Sequence, residues 1–122
     1  MTTYEVKIEY DPHHPIVNEK LVITITVMFP TKKQLDFLSI YCFYSNSYVI
    51  SDMSCNNPSF FVGYSQQRAY AKADLEFDIT EPIKVIITGI AREIGYLDFG
   101  FSVSSNEIDP NTSNFSTTII VS

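Results

Sequence analysis

Tryptophan is absent from this chain of 122 residues, glycine occurs only four times, and cysteine occurs only twice. Four glycines leave no glycine-rich loop to hold a phosphate group, and no Gly-x-Ser-x-Gly nucleophile motif is present. Basic residues are also few, since eight lysines and arginines stand against fourteen aspartates and glutamates, for a net charge of −6. No more than two basic residues are adjacent, so we expect no binding to nucleic acid.

The residue types that favour helices are scarce as well. Alanine and leucine total only nine residues, whereas valine, isoleucine, threonine, phenylalanine and tyrosine total 51. This ratio favours strands over helices. A length of 122 residues suits one domain with a sizeable core. The composition therefore predicts a single all-β domain over residues 1–122.

Long apolar runs are missing too. No run of 18 apolar residues is available to cross a membrane, and no basic segment followed by an apolar one opens the chain. We therefore expect no direct membrane contact by this segment. Two expectations remain open: a cytosolic protein, or a soluble domain whose N-terminal membrane anchor has been removed.

Charged residues make up only 18% of the chain, below the roughly 25% of ordinary soluble domains. Serine, threonine and asparagine supply 30 neutral polar residues instead. Near pH 3 carboxylates are largely protonated and ion pairs lose their value, so this composition favours an acidic environment. A secreted or viral protein from a neutral environment fits the same composition.

Alternating apolar and polar residues indicate seven to nine strands with short connections and no helix. The pattern predicts an antiparallel immunoglobulin-like β-sandwich, with a jelly roll as the alternative. The predicted strands cover residues 3–10, 20–29, 36–44, 48–53, 60–64, 70–79, 83–90, 96–104 and 115–121.

The two cysteines could form one disulfide if the chain turns back between them. A hairpin that turns at residues 48–49 places Cys55 opposite Cys42, whereas a turn centred on Asn46 places Ile50 there. Two separate buried thiols are the other interpretation.

Groups for catalysis are few. The only histidines, His13 and His14, are adjacent in a proline-flanked loop, and neighbouring side chains on an extended chain point apart. A pair of Cys42 with either histidine has no support beyond the presence of the residues. We therefore expect no enzyme activity, no metal and no cofactor.

Two candidate glycosylation sites and the last predicted strand lie near the end of the chain. Asn111 and Asn114 each begin an Asn-x-Ser/Thr sequence, which permits glycosylation if the protein is exported. The last strand, residues 115–121, is an apolar run that could pair with a neighbouring protomer if it lies at a sheet edge.

Aromatic residues give the best functional lead. Residues 36–44 are apolar on both faces of a strand, so one face can line the core and the other must be covered or contact another chain. Coverage by the local loop 45–58 is the alternative. The candidate interface residues are Phe37, Tyr41, Phe43, Phe60, Tyr64, Ile119 and Val121.

A family resemblance rests on overall pattern. The segment PIVNEK at residues 15–20 and the alternation from Leu21 to Val27 resemble cell-surface immunoglobulin-like modules. The composition, rich in isoleucine, tyrosine, serine and asparagine, is similar to that of external proteins of thermoacidophilic archaea. Together these features resemble the soluble domains of archaellum accessory proteins of the FlaF and FlaG type.

This resemblance implies a non-enzymatic assembly module in the extracellular or pseudoperiplasmic space. The full-length protein would be anchored by an N-terminal membrane helix. The domain would form a homo-oligomer or bind the surface-layer protein, and so hold the archaellum motor in place. A viral structural β-sandwich protein and a ligand-binding module are the alternatives.

Overall fold

Eleven β-strands form the described part of the chain in the computed structural model, which covers residues 4–29, 33–74, 78–79, 81–106, 108 and 113–122. No helix occurs among these residues. The strands are β1 (Glu5–Asp11), β2 (Lys20–Met28), β3 (Lys33–Gln34), β4 (Phe37–Tyr44), β5 (Tyr48–Cys55), β6 (Phe61–Tyr64), β7 (Arg68–Asp74), β8 (Asp78–Ile79), β9 (Ile83–Ala91), β10 (Gly95–Ser104) and β11 (Asn114–Val121).

Nine of these strands form two antiparallel sheets that pack face to face. The four-stranded sheet has the order β1-β2-β9-β5, and the five-stranded sheet has the order β11-β10-β4-β7-β6. β3 and β8 form a separate two-stranded sheet. The prediction of an all-β antiparallel sandwich is confirmed. Many neighbours in each sheet are distant in sequence, so hairpins alone do not build this fold.

Strict alternation places one face of each central strand in the core. In β2, Leu21, Ile23, Ile25 and Val27 are completely buried, and their neighbours of opposite phase are partly exposed. β9 and β10 follow the same alternation. The apolar inner faces of the two sheets meet in one continuous core. Burial of this surface is the main force that holds the sandwich together.

An aromatic cluster fills one end of the core. The ring of Tyr48 lies edge-on to Phe99 at 5.2 Å and to Tyr44 at 5.7 Å between ring centroids. The buried Tyr48 hydroxyl donates a hydrogen bond of 2.8 Å to the carbonyl of Leu21, so it bridges from β5 to β2. The Tyr44 hydroxyl donates a hydrogen bond of 2.6 Å to the carbonyl of Ser65.

Of the two interpretations of the cysteines, the structure matches separate thiols, because the hairpin that a disulfide requires does not form. β4 pairs with β10 and β7, whereas β5 pairs with β9 in the opposite sheet. The chain therefore crosses from one sheet to the other after Tyr44 instead of forming a hairpin. Cys42 and Cys55 are both free, the first buried in the core and the second half-buried.

The predicted strand at 70–79 matches the structure in its first half. β7 ends at Asp74, and Ala71 and Ala73 point into the core. Residues 75–77 of the predicted strand lie outside the described residues. The described part of the chain also has no helix of the length and apolarity that a membrane crossing needs.

Candidate interaction surface

The outer face of the five-stranded sheet carries exposed aromatic side chains. On β4, Phe37, Tyr41 and Phe43 point outward, because the residues of opposite phase on this strand are buried. The register places Tyr70 of β7 beside Tyr41, and Phe61 of β6 lies further along the same face. We call these five residues the aromatic face. The second side of this strand lies outside the core, and its contact with another chain stays a prediction.

Two cations stack on the aromatic face. The rings of Tyr41 and Phe43 are nearly parallel, with centroids 6.4 Å apart. The guanidinium carbon of Arg68 lies 5.1 Å from the centroid of Tyr41 and 6.0 Å from that of Phe43. The ammonium of Lys72 lies 5.0 Å from the centroid of Tyr70. Such contacts hold the charged groups over the rings while leaving their hydrogen-bond donors available.

Neither cation is neutralised by a carboxylate within the described residues. The ion pair found there joins Lys7 and Glu9 at 3.7 Å, on the opposite sheet. Arg68 and Lys72 therefore present positive charge on a chain whose net charge is −6. A surface that combines exposed rings with unpaired arginine has the composition of an interface centre.

A hollow opens within the aromatic face between Phe37 and Phe61. Its volume is about 350 Å³, and Ser39, Lys72, Ala73 and Asp74 complete its lining. Phe61 is 75% exposed, so a large apolar ring stands in solvent at the rim. The hollow can accept an apolar side chain from a partner, with an ammonium and a carboxylate beside it.

A glycine permits the close packing of this face at β6. A β-carbon on Gly63 would lie 2.5 Å from the hydroxyl oxygen of Tyr70 and 2.6 Å from its Cζ atom. The Tyr70 ring therefore lies directly over the backbone of β6, which only a residue without a side chain allows. On β10, by contrast, the space above Gly100 is open, and Gly100 is opposite Phe43.

Three predicted interface residues lie in the core instead. Phe60 is 7% exposed, and Ile119 and Val121 are each 1% exposed. Phe60 lies just before β6, and Ile119 and Val121 lie on the inward phase of β11, so Phe61 and Ile120 are the exposed neighbours. Tyr64 is 48% exposed, but its hydroxyl donates to the carbonyl of Ser51 at 3.3 Å, between β6 and β5. It lines a separate pocket with Tyr48, Val49 and Ile50.

Four residues of this face were missed by the sequence reasoning: Phe61, Arg68, Tyr70 and Lys72. For Phe61, the expected opposite orientation of Phe60 and Phe61 was a usable signal. For the other three, the alternation of β7 around Ala69, Ala71 and Ala73 was a usable signal, since their neighbours must point outward. The pairing of β7 with β4 could not be read from the sequence.

The structure does not bring Cys42 together with either histidine. Burial raises the pKa of the Cys42 thiol to about 12, so this thiol stays protonated and is a poor nucleophile. His13 is exposed in the loop after β1, whereas Cys42 lies in the core. Among the described residues, no group of three or more histidine, cysteine, aspartate or glutamate side chains could hold a metal ion.

The two candidate glycosylation sites differ in what the structure describes. Asn114 is exposed at the start of β11, where a glycan would have access to solvent. Asn111 lies outside the described residues. Glycosylation at either position stays a prediction.

Solved structures with this fold include cohesin modules and an adhesin domain. A cohesin module from a family 33 glycoside hydrolase of Clostridium perfringens has a TM-score of 0.70 and 11% identity, covering 99% of this chain and 98% of that module. The third ScaC cohesin of Acetivibrio cellulolyticus, solved with the ScaB dockerin, has a TM-score of 0.68 and 11% identity, covering 96% and 99%.

The collagen-binding domain of a Staphylococcus aureus adhesin has a TM-score of 0.65 and 5% identity, covering 96% of both chains. No family model and no curated protein matches the sequence. At these identities the likeness shows the fold alone: this chain is a β-sandwich with the architecture of cohesin modules and of immunoglobulin-like adhesin domains.

Proposed function

We propose that this chain is a non-catalytic protein-binding module that uses the aromatic face of its five-stranded sheet. The observation that carries the proposal is the stack of Arg68 on Tyr41 and Phe43, exposed and without an ion-pair partner among the described residues. In a free monomer the Phe43 ring and the Arg68 guanidinium lie at the surface. In a complex they would supply the rings and charge-assisted hydrogen bonds that dominate binding energy.

The partner's surface has a definable chemistry. It presents an apolar side chain to the hollow between Phe37 and Phe61, and carboxylates or carbonyl oxygens to Arg68 and Lys72. A five-stranded face of this length has a flat footprint of about 600 Å². The accessible surface of the projecting side chains exceeds this flat area, so the face is close to the roughly 800 Å² per partner that a standard protein–protein interface buries.

The structural comparisons support a protein partner. Both the ScaC cohesin and a second cohesin, from the OlpA protein of Clostridium thermocellum, were solved as complexes with dockerins. The adhesin domain of Staphylococcus aureus is described as collagen-binding. Related sandwiches thus serve as protein-binding modules, and this chain has the exposed face that such a role needs.

The finer proposal is an extracellular module of an archaeal surface machine, anchored to the membrane in the full-length protein. It rests on the sequence resemblance to the FlaF and FlaG type, with the surface-layer protein as partner. The structures named above are cohesin and adhesin domains, so they add support for binding but none for the archaellum.

The test replaces one ring of the aromatic face and one residue of the opposite sheet. Phe43→Asp places a carboxylate beside Arg68 and removes the ring from the stack, and Phe43 is 44% exposed. Val49→Asp is the matched control, because Val49 is 48% exposed on the outer face of the four-stranded sheet. A photoreactive phenylalanine analogue at position 61 identifies the bound protein by cross-linking to the surface fraction of the source cells.

We expect one cross-linked protein, at least about tenfold weaker binding of that purified protein by Phe43→Asp, and unchanged binding by Val49→Asp. Both variants should keep the melting temperature of the wild type within a few degrees. Equal binding by wild type and Phe43→Asp would refute the role of the aromatic face.

A further inference from the structure

The four edge strands of the two main sheets differ in how they resist pairing with another chain. β6 has only four residues, and the register of β5 shifts between Ile50 and Asp52 as at a β-bulge. β1 is protected by charge, since its outward residues are Glu5, Lys7, Glu9 and Asp11. Short length, bulges and charge all prevent edge-to-edge association.

β11 has none of these three protections, and within the described part of the chain its edge is covered only beyond its last residue, where the backbone of Ser122 bonds to Pro15 and Val17. It is eight residues long, pairs with β10 alone among the described strands, and keeps a regular register throughout. Its sequence, NFSTTIIV, contains no charged residue, no proline and no glycine. A long, regular and uncharged edge is open to the addition of another strand.

The hydrogen bonds at the two ends of β11 show which of its backbone groups face away from the sheet. The carbonyl of Ser113 accepts from the amide of Val103 on β10, at 3.0 Å. The backbone of Ser122 instead bonds outward, to Pro15 at 3.1 Å and Val17 at 2.8 Å. In an antiparallel ladder these directions alternate along the strand. The amides and carbonyls of Asn114, Ser116, Thr118 and Ile120 therefore point out from the edge.

We propose that a second copy of this chain pairs with this edge through its own β11, antiparallel, with Thr117 on the two-fold axis. The four outward-pointing residues are symmetric about Thr117: Asn114 meets Ile120 of the second copy, and Ser116 meets its Thr118. All four residues of both copies then exchange backbone hydrogen bonds, about eight in total. No other two-fold register of β11 satisfies all four.

Packing also favours a second copy as the occupant, and the charge of the chain does not prevent the contact. Two chains with a net charge of −6 repel each other, and the β11 edge brings them together without placing a charge in the ladder. On the inner face, Phe115 of one copy lies opposite Ile119 of the other, which is a favourable apolar cross-strand pair. Any extended peptide carries the same backbone groups, so the apolar cross-strand pair and the uncharged ladder are what favour a second copy.

The dimer does not depend on the proposed function, since β11 and the aromatic face are separate parts of the sheet. The two-fold axis is perpendicular to the sheet, so the two aromatic faces would lie on the same side of one continuous ten-stranded sheet. Loss of the dimer would leave the binding of a partner by each monomer intact. The two proposals therefore fail independently.

Sedimentation velocity over a range of protein concentrations tests the dimer. We expect a monomer–dimer equilibrium for the wild type. Thr118→Pro removes an outward amide and blocks the edge while sparing the bonds to β10, so it should raise the dimer dissociation constant at least about tenfold. Thr118→Ala is the matched control, since it keeps the amide and loses the same 2.6 Å hydroxyl bond to Asp98. Ser116→Lys provides an independent disruption at the edge.

Cysteine cross-linking tests the register in a Cys55→Ser background. Thr117→Cys places two thiols opposite each other across the axis, at a distance that suits a disulfide. Ile120→Cys is more exposed but would lie roughly 20 Å from its counterpart. We expect an oxidised dimer for Thr117→Cys and little for Ile120→Cys. A monomer at all concentrations, a dimer unaffected by Thr118→Pro, or the reverse cross-linking order would each overturn the proposal.

Discussion

At the scale of single residues, the buried Tyr48 hydroxyl has a hydrogen-bond partner inside the core, because it reaches from β5 to the backbone of β2. Tyr48→Phe removes the 2.8 Å hydrogen bond to the Leu21 carbonyl and leaves that buried acceptor with one partner fewer. We expect the free energy of unfolding to fall by about 1 to 2 kcal/mol. Urea unfolding followed by near-ultraviolet circular dichroism measures this change.

A second tyrosine provides the control for Tyr48. The Tyr64 hydroxyl donates a longer bond of 3.3 Å to Ser51 at an exposed site, where water can replace the lost group. Tyr64→Phe should therefore change stability by less than about 0.5 kcal/mol. Equal effects of the two substitutions would contradict a structural role for the buried hydroxyl.

The Cys42 thiol gives a pH dependence of defined sign. Burial raises its pKa from the usual value of 9.0 to about 12, so the folded protein holds this proton more tightly than the unfolded chain. The stabilisation is complete below pH 9 and is lost as the pH rises from 9 towards 12. We expect stability to fall in this window, and to fall less steeply for Cys42→Ala than for the wild type.

Two measurements complete the test of Cys42. Urea unfolding at pH 8, 9.5 and 11 gives the slope of stability against pH for the wild type and for Cys42→Ala. The cavity left by Cys42→Ala lowers stability equally at every pH, so it does not change the slope. Alkylation of the native protein should modify the half-buried Cys55 and spare Cys42 until the chain unfolds. Parallel pH profiles for the two proteins would argue against a buried, protonated thiol.

At the scale of elements, the sequence was sufficient wherever a strand had a long and regular alternation. The inward residues of β2 and the two faces of β4 were predicted correctly, because one phase of each strand had to be core. The prediction failed for Phe60, Ile119 and Val121, which are buried. Residues 60–62 are apolar in both phases, so the phase at Phe60 could not be read locally. In β11 the other phase carries Asn114, Ser116 and Thr118, and this alternation was a usable signal that Ile119 and Val121 face the core.

The sequence also left the pairing of the two cysteines open, since a hairpin between them was one of its local interpretations. A turn at residues 45–47 with strands on either side has the local pattern of a hairpin, yet the chain there crosses between the two sheets. Tyr48 therefore begins a strand of the opposite sheet and packs in the core, and it is not part of a turn. Local turn chemistry cannot distinguish a hairpin from such a crossover.

The inner face of β7 consists of alanine, although larger residues have a higher propensity for strands. Its inward residues are Ala69, Ala71 and Ala73, all buried. The small side chains leave room for the bulky residues of the facing sheet. Ala71→Leu should lower the free energy of unfolding by about 1 to 3 kcal/mol, because the close-packed core cannot admit the extra volume.

Ser104→Leu on β10 is the control for Ala71. It introduces the same side chain into the same sheet, but at an exposed outward position. We expect a change within about 0.5 kcal/mol there. Thermal unfolding of both variants separates overpacking from strand propensity, and a stabilised Ala71→Leu protein would show that the core has space next to β7.

At the scale of the whole molecule, the five-stranded sheet concentrates the chain's opportunities for interaction. Its outer face carries the stacked rings and cations, and its β11 edge carries the unprotected backbone groups. The four-stranded sheet has a charged edge and an irregular one. This asymmetry fits a module in which the five-stranded sheet contacts partners and the four-stranded sheet mainly covers the other side of the core.

The low content of charge leads to a prediction for the whole fold in acid. Carboxylic acids are largely protonated at pH 3, so a protein that depends on ion pairs loses stability there. In the described part of this chain the ion pair is a single exposed contact between Lys7 and Glu9, which contributes little. The apolar core does not titrate in this range. We expect a cooperative thermal transition at pH 3, with a melting temperature within about 5 °C of its value at pH 7.

Repulsion among protonated groups is the opposing effect, and salt separates it from the loss of ion pairs. Carboxylates in general lose their charge near pH 3, and the eight lysines and arginines of the chain then repel one another. Added salt should therefore recover any small decrease in melting temperature, because it screens like charges. A transition that collapses between pH 5 and pH 3, with or without salt, would mean that specific carboxylates stabilise the fold, and the composition would then not indicate an acidic environment.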